Sequence, residues 1–133
     1  MILSIGHIAL RTGNIAESLD FYTRVLGGEK VFTGYEEGKA NLVYVKLADG
    51  TYVELFIGGT EKREKRTDET GFMHLCLTVD DIFAEEKRIR GTGWPIGAVR
   101  KGKYGNYQLW ITDPDGNEIE LMQILPDFLQ GHA

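Results

Sequence analysis

The chain contains the stretch IGHIAL at residues 5–10, which returns in altered form as FMHLCL at residues 72–77. In each copy one histidine, His7 or His74, stands in an apolar run of the kind that forms strands. The two histidines are 67 positions apart, which is about half of the 133 residues. This spacing indicates that the chain contains two copies of one structural unit.

Two glutamates repeat in the same way. They lie in DGTYVELF at residues 49–56 and DGNEIELM at residues 115–122, and Asp-Gly before an apolar strand predicts a turn. Glu54 and Glu120 each follow a turn glycine by four positions. Because side chains alternate along a strand, Glu54 shares a face with Tyr52 and Phe56 and not with the aliphatic residues between them. Each carboxylate is therefore expected to face away from the layer behind the sheet.

Composition limits the classes of function. The net charge is −5 and the pI about 5.2, which argues against general affinity for nucleic acid or anionic membrane surfaces. Small molecules and further copies of this chain are the expected partners. No signal-peptide pattern or long apolar run is found, and a single cysteine, Cys76, fits a reducing compartment, so a cytoplasmic location is expected. Cys76 itself is expected to be a small core residue.

Each half predicts the order strand, helix and three strands. Asn14 and either Asp80 or Asp81 are expected to cap the two helices. The fold class predicted is α+β, with two tandem βαβββ modules forming a curled mixed sheet around a metal cleft. One domain, residues 1–133, would comprise a module at 1–58, a linker at 59–71, a module at 72–126 and a polar tail at 127–133. The later strands are predicted at 29–35, 41–47, 51–56, 96–100, 107–112 and 117–123.

The repeated residues suit one divalent ion. Two neutral imidazoles and two carboxylates give such an ion a neutral complex with positions left for two adjacent substrate oxygens. An ion so placed stabilises the enediolate formed when an α-hydroxy carbonyl loses a proton. A single strand histidine is more often a hydrogen-bonded core residue, and duplication also copies structural residues in register. Carboxylates among apolar neighbours are nevertheless costly to bury unless a cation is shared.

The chain resembles the vicinal oxygen chelate superfamily over nearly its whole length. The resemblance lies in LDFYTRVLG at residues 19–27, VEL at 53–55, VDD at 79–81 and DPDGNEIEL at 113–121, together with the two histidine strands. The ligand set His7, Glu54, His74 and Glu120 is most like that of glyoxalase I, the lactoylglutathione lyases. The dioxygenases of this superfamily use two histidines and one carboxylate, and methylmalonyl-CoA epimerases carry Gln at the place of Glu54.

This resemblance implies a metalloenzyme acting on the thiol hemithioacetal of a 2-oxoaldehyde such as methylglyoxal. The product would be a 2-hydroxyacyl thioester reached through an enediolate, with Glu120 as the base and Glu54 the steadier ligand. The bacterial form of the family prefers nickel or cobalt to zinc. Glutathione or another thiol would be the co-substrate.

Three basic residues are candidates for holding that thiol. Arg11 matches the position at which glyoxalase I has an arginine for the glutathione carboxylate. Lys101 and Lys103 lie in the glycine-containing loop at residues 100–106. Arg11 is about equally well explained as a solvated strand end, and loops like that of Lys101 and Lys103 are more often solvated turns. Gly58 departs from the family pattern, which has a substrate-binding asparagine there.

Other functions stay open at this point. The same scaffold serves epimerases and ring-cleaving dioxygenases, and a chain of this kind can also bind and sequester a small molecule without turnover. Exposed sheet edges favour a homodimer. The metal site is built within one chain in some members of the superfamily and across two chains in others.

Overall fold

In the computed structural model the chain forms two compact units, residues 1–64 and 65–133. The residues described are 1–62, 64, 68, 70–128 and 130. Residues 63, 65–67 and 69 of the predicted linker and residues 129 and 131–133 of the predicted tail lie outside this described part. Among the described residues no helix is long and apolar enough to cross a membrane.

The first unit is a four-stranded sheet with one helical segment. Strand β1 is parallel to β4, and the other neighbours in the order β1-β4-β3-β2 are antiparallel. The helix α1 continues directly into a π-helical turn, Phe21–Val25. The elements are β1 (Ile8–Thr12), α1 (Ile15–Asp20), β2 (Glu29–Glu36), β3 (Lys39–Ala48) and β4 (Thr51–Ile57).

The start and the buried face of this helix follow from the sequence. The Asn14 side chain accepts hydrogen bonds from the backbone N–H groups of Ala16 and Glu17, as the predicted cap requires. The helical segment packs on β3 and β4. Its buried residues and those of the strands form one apolar core: Phe21, Tyr22, Val25, Val43, Val45, Val53 and Leu55.

The second unit repeats this topology. Its order is β5-β8-β7-β6, with β5 parallel to β8 and the other neighbours antiparallel. The predicted α+β class with two βαβββ modules is therefore confirmed. The elements are β5 (Leu75–Thr78), α2 (Ile82–Gly91), β6 (Arg100–Lys101), β7 (Tyr107–Thr112) and β8 (Glu118–Gln123).

Helix α2 is held at its start by two side chains. Of the two candidate caps, Asp81 is the one that accepts from the backbone N–H groups of Phe83 and Ala84. Gln123 of β8 accepts from the N–H of Ile82, which ties the helix to the sheet. The apolar core of this unit lies between α2 and the sheet and includes Ile82, Ile89, Leu109, Ile111, Ile119 and Leu121.

The strand predicted at 96–100 is wrong in extent. An isolated bridge joins Ile96 to Ile111, and β6 itself has two residues. Pro95 lacks a backbone N–H and Gly97 weakens a strand interior, so this segment does not sustain a regular ladder. The histidines also differ slightly from expectation, because His7 and His74 each lie one residue before their strand and not within it.

Candidate metal site

The first unit brings His7 against Glu54. His7 Nε2 lies 3.2 Å from Glu54 Oε2, with 47% of the histidine side chain and 18% of the glutamate side chain exposed. Two features of the strands create this contact. His7 leads into β1, which runs parallel to β4, and Ala9 is the Cα partner of Glu54. Residues 7 and 9 face the same side, so the imidazole reaches the carboxylate.

The second unit builds the same contact from His74 and Glu120. His74 Nε2 lies 3.2 Å from Glu120 Oε2, and the exposed fractions fall to 30% and 9%. Cys76 of β5 is here the Cα partner of the glutamate. The pairs are therefore equivalent in topology and in distance, but the second is more enclosed.

The distance within each pair fits a shared metal ion. Two ligand atoms, each about 2.1 Å from one ion, lie about 3.0 Å apart at a right angle and about 3.4 Å apart at the tetrahedral angle. The observed 3.2 Å lies between these values. Imidazole nitrogen and carboxylate oxygen together suit zinc, nickel, cobalt and iron. Each pair can thus supply two ligands.

No three His, Cys, Asp or Glu side chains gather into a metal-holding group within the described residues. Each unit holds two residues of the predicted set, and the four-ligand site remains a prediction.

An aromatic side chain flanks each pair on the neighbouring antiparallel strand. Tyr44 is the Cα partner of Glu54, and its ring meets His7 edge-on at 6.1 Å between centroids. Trp110 is the Cα partner of Glu120 and meets His74 at 4.8 Å. Tyr44 was not predicted as a neighbour of the site. Alternation along β3 indicates which residues share a face with Tyr44, but the sequence does not reveal its register against β4.

Cys76 was wrongly predicted to be a core residue. It is exposed, because residues 74 and 76 lie on the same side of β5 and the core lies on the other. The residue is exposed but its thiol is partly covered, and this partial burial, together with the charge and the hydrogen-bonding carboxylate of Glu120, raises the pKa of Cys76 to about 12. The two-residue spacing from His74 was the signal that could have revealed this.

The turn that precedes Glu120 is tightly fastened. The buried Asp113 carboxylate accepts from the backbone N–H groups of Asp115 and Asn117 at 3.0 and 2.8 Å, and from the Asn117 side chain at 2.8 Å. Gly116 follows with a positive φ of 90°, as Gly50 does with 73° in the first unit. These turns fix where β8 and β4 begin and so which face the two glutamates occupy.

Arg11 lies two residues beyond Ala9 on the same side of β1. Its guanidinium donates to the carbonyl of Ile57 at 3.3 Å and lies 5.8 Å from the centroid of the Phe56 ring. Gly58 follows with a φ of 97° and open space where a side chain would stand. Arg11 is thus a fixed, exposed cation at the end of β4.

Lys101 and Lys103 are both exposed. Lys101 pairs with Tyr107 in the β6–β7 ladder, and Lys103 Nζ lies 5.6 Å from the centroid of the Tyr104 ring. The loop is closed by the N–H of Gly102 donating to the Asn106 carbonyl at 2.7 Å. The two lysines therefore project from a hydrogen-bonded turn.

Comparison with known proteins identifies the family. The model of the glyoxalase/bleomycin resistance protein/dioxygenase superfamily matches residues 4–121, which include both His–Glu pairs. This chain belongs to that superfamily. It is 30% identical over 147 residues to a lactoylglutathione lyase of Pseudomonas putida, covering 91% of this chain and 85% of that relative. A lactoylglutathione lyase of Neisseria meningitidis serogroup A is 33% identical over 125 residues, covering 88% of each chain.

Solved structures agree with the fold of this superfamily member. The glyoxylase/bleomycin resistance protein/dioxygenase domain from Frankia sp. EAN1pec superposes with a TM-score of 0.80 and covers 100% of each chain at 19% sequence identity. A likeness at this identity supports the two-module fold.

Proposed function

We propose that this chain is a metal-dependent lyase of the glyoxalase I type. It would convert the thiol hemithioacetal of a 2-oxoaldehyde such as methylglyoxal into a 2-hydroxyacyl thioester. The observation that supports this most is the repeated His–Glu contact of 3.2 Å at equivalent places in both units. Relatives at 30–33% identity named lactoylglutathione lyase also support this reaction class.

His7, Glu54, His74 and Glu120 would together hold one divalent ion per chain, with nickel or cobalt favoured and zinc a weaker substitute. When bound, the ion supplies a Lewis acid that stabilises negative charge on the two adjacent oxygens of the substrate. The four residues offer two neutral imidazoles and two carboxylates, so the net charge of the ion is balanced.

Glu120 is the residue proposed to move the proton. Its carboxylate would take the proton from the carbon that bears the sulfur and the hydroxyl, and would return it to the neighbouring carbonyl carbon. The hydroxyl proton would pass to the former carbonyl oxygen, which becomes the hydroxyl of the product. Nothing is gained or lost overall, so the reaction is an isomerisation. Only 9% of the Glu120 side chain is exposed, which shields the transferred proton from exchange with water. Glu54, at 18%, is the better candidate for a fixed ligand.

Exposed cations would hold the anionic end of the thiol. Arg11 is oriented by its bond to the Ile57 carbonyl, and Lys101 and Lys103 project from the closed turn of the second unit. Glutathione, which carries two carboxylates, suits such groups, and so does another acidic thiol. We also propose a cytoplasmic homodimer, because the outer strands of both sheets offer edges to a second copy.

The test is an assay of metal-free protein reloaded with nickel, cobalt or zinc. Hemithioacetals of methylglyoxal with glutathione and with a second acidic thiol would be supplied, and the thioester followed by its ultraviolet absorbance. Turnover that needs the metal, and is greatest with nickel or cobalt, is expected. Tight metal binding without thioester from either thiol would contradict the lyase.

Two further measurements identify the alternatives if the lyase fails. Oxygen uptake with ferrous protein and a catechol would indicate a ring-cleaving dioxygenase. Solvent-proton exchange at a substrate carbon without net isomerisation would indicate an epimerase. Ligand binding with neither reaction would indicate a sequestering protein.

A further inference from the structure

The two glutamates have different neighbours on their parallel strands. Glu120 has Cys76 as its Cα partner on β5, so the two side chains share a face of the sheet, and the thiol interacts with the Glu120 carboxylate. Glu54 has Ala9 at the equivalent place on β1, where a methyl group offers no donor. The two units can therefore be compared at this position, where Cys76 lies beside Glu120 and Ala9 lies beside Glu54.

The neighbours of Glu120 enclose it from two directions. His74 Nε2 lies 3.2 Å from Oε2, and Cys76 lies opposite Glu120 on the neighbouring strand β5. With 9% of its side chain exposed, Glu120 has few rotamers that keep both contacts. Glu54 contacts His7 but has Ala9, which carries no donor, as its neighbour on β1. Its side chain is also twice as exposed, so more rotamers are open to it.

We propose that Cys76 is a positioning residue for Glu120, its thiol holding the carboxylate oriented for metal binding and proton transfer. This inference rests on the proposed function, in which Glu120 is both ligand and base. The thiol acts through the glutamate and does not touch substrate. An outer hydrogen bond of this kind orients a ligand before the ion arrives, and its loss is felt in affinity and in turnover.

The alternative role for Cys76 is that of a metal ligand. Within the described residues, Cys76, His74 and Glu120 do not form a three-ligand metal group. The thiol instead interacts with the Glu120 carboxylate, which raises the pKa of the thiol. The donor role accounts for both observations.

The experiment compares Cys76→Ala with Cys76→Ser in the full chain. Alanine is the residue that the first unit carries at this place, so the substitution is compatible with the fold, and serine keeps a donor of similar size. Thr78→Val is the matched control, since Thr78 lies on the same side of β5 but pairs with Met122. Cobalt affinity by calorimetry, kcat, KM and the melting temperature would be measured for each.

Cys76→Ala is expected to lower cobalt affinity and kcat by about threefold to tenfold, the net contribution of one typical hydrogen bond. KM and the melting temperature should stay unchanged, Cys76→Ser should restore most of the loss, and Thr78→Val should match the unsubstituted chain. Equal values for Cys76→Ala and the unsubstituted chain would overturn the proposal. So would a serine variant as impaired as the alanine one, or a thiolate-to-cobalt charge-transfer band.

Failure of the proposed function can be recognised separately. If the unsubstituted chain binds cobalt but turns over no hemithioacetal, the lyase is contradicted while the cobalt affinities still decide the role of Cys76. If the unsubstituted chain binds no cobalt, both proposals are contradicted.

Discussion

The two units share a topology and a His–Glu contact, but they differ in what surrounds that contact. In the first unit the pair is the more exposed, and its glutamate lies between Ala9 and Tyr44. In the second the pair is more enclosed, and its glutamate lies between Cys76 and Trp110. His–Glu pairs repeated in register with diverged neighbours suggest one task that is shared and one that is not. In the proposed function the shared task is metal binding and the unshared task is proton transfer by Glu120.

The largest expected effect comes from Glu120→Gln. Because the amide cannot accept the substrate proton, kcat should fall by roughly 10²- to 10⁴-fold, the usual contribution of a general base. The amide oxygen still reaches a metal, so binding of one ion per chain should persist. Steady-state kinetics and calorimetry on the same preparation would check this. Normal turnover by the variant would show that Glu120 is not the base. The proposed difference in role between Glu54 and Glu120 would then be wrong.

The buried faces of the two sheets should respond alike. Leu55 and Leu121 are equivalent core positions, 1% and 3% exposed, on the side opposite the glutamates. Leu55→Ala and Leu121→Ala should each reduce the free energy of unfolding by about 2–5 kcal/mol through the lost contacts and the cavity. Urea unfolding measures this, and the number of metal ions bound to folded protein should not change. A loss below about 1 kcal/mol at either site would show that its core collapses to fill the space.

Glu54→Gln sharpens the contrast with Glu120. If Glu54 is a fixed ligand, its substitution should weaken metal binding by at least the roughly 10- to 100-fold that loss of an outer-shell partner costs. His74→Ala should do the same. Glu29→Gln, on an exposed part of β2, is the control and should bind metal normally. Unchanged affinity in both ligand variants would exclude them from the ligand set.

The basic residues of each unit should have smaller effects. Arg11→Ala in the first unit, and Lys101→Ala with Lys103→Ala in the second, should raise KM for an anionic thiol adduct by about twofold to fivefold, the range of exposed ion pairs. Their effect should weaken with salt. Lys87→Ala on α2 is the control for loss of one exposed lysine. An unchanged KM would mean that these side chains are only solvated.

The smallest effect is expected on the outer surface of α1. Asp20 and Arg24 form an exposed i,i+4 pair, matched on α2 by Glu86 and Arg90. The hydrogen bond from Arg24 lowers the pKa of Asp20 from its ordinary 3.8, so any stabilisation is present above pH 3.8 and is lost as the pH falls through the lowered pKa. Asp20→Asn should therefore leave the melting temperature at pH 7 almost unchanged. A large drop would reveal a role that exposure does not suggest.

Local patterns in the sequence predicted most of the fold. The caps at Asn14 and Asp81, the turns at Gly50 and Gly116, and the duplicated strand order are all written in short stretches, where neighbouring residues decide the conformation. The segment 96–100 was predicted as a strand because its residues are mostly apolar. Pro95 and Gly97 disrupt the hydrogen-bond ladder, so a regular strand does not form there.

The environment of the site was harder to predict. His7 and Glu54 could be paired through the repeat, but Tyr44 and Trp110 become their neighbours only through the register of β3 on β4 and of β7 on β8. Register joins residues distant in sequence, so no local pattern reports it. Cys76 was misplaced because its apolar neighbours masked the alternation that puts it beside Glu120.

We propose that both His–Glu pairs serve one metal ion. Calorimetric titration of metal-free protein with nickel, repeated with zinc, measures this directly. One tight site per chain is expected, and its affinity should fall when either Glu54 or His74 is substituted. Absence of binding, or two independent weak ions per chain with each pair holding its own, would contradict it.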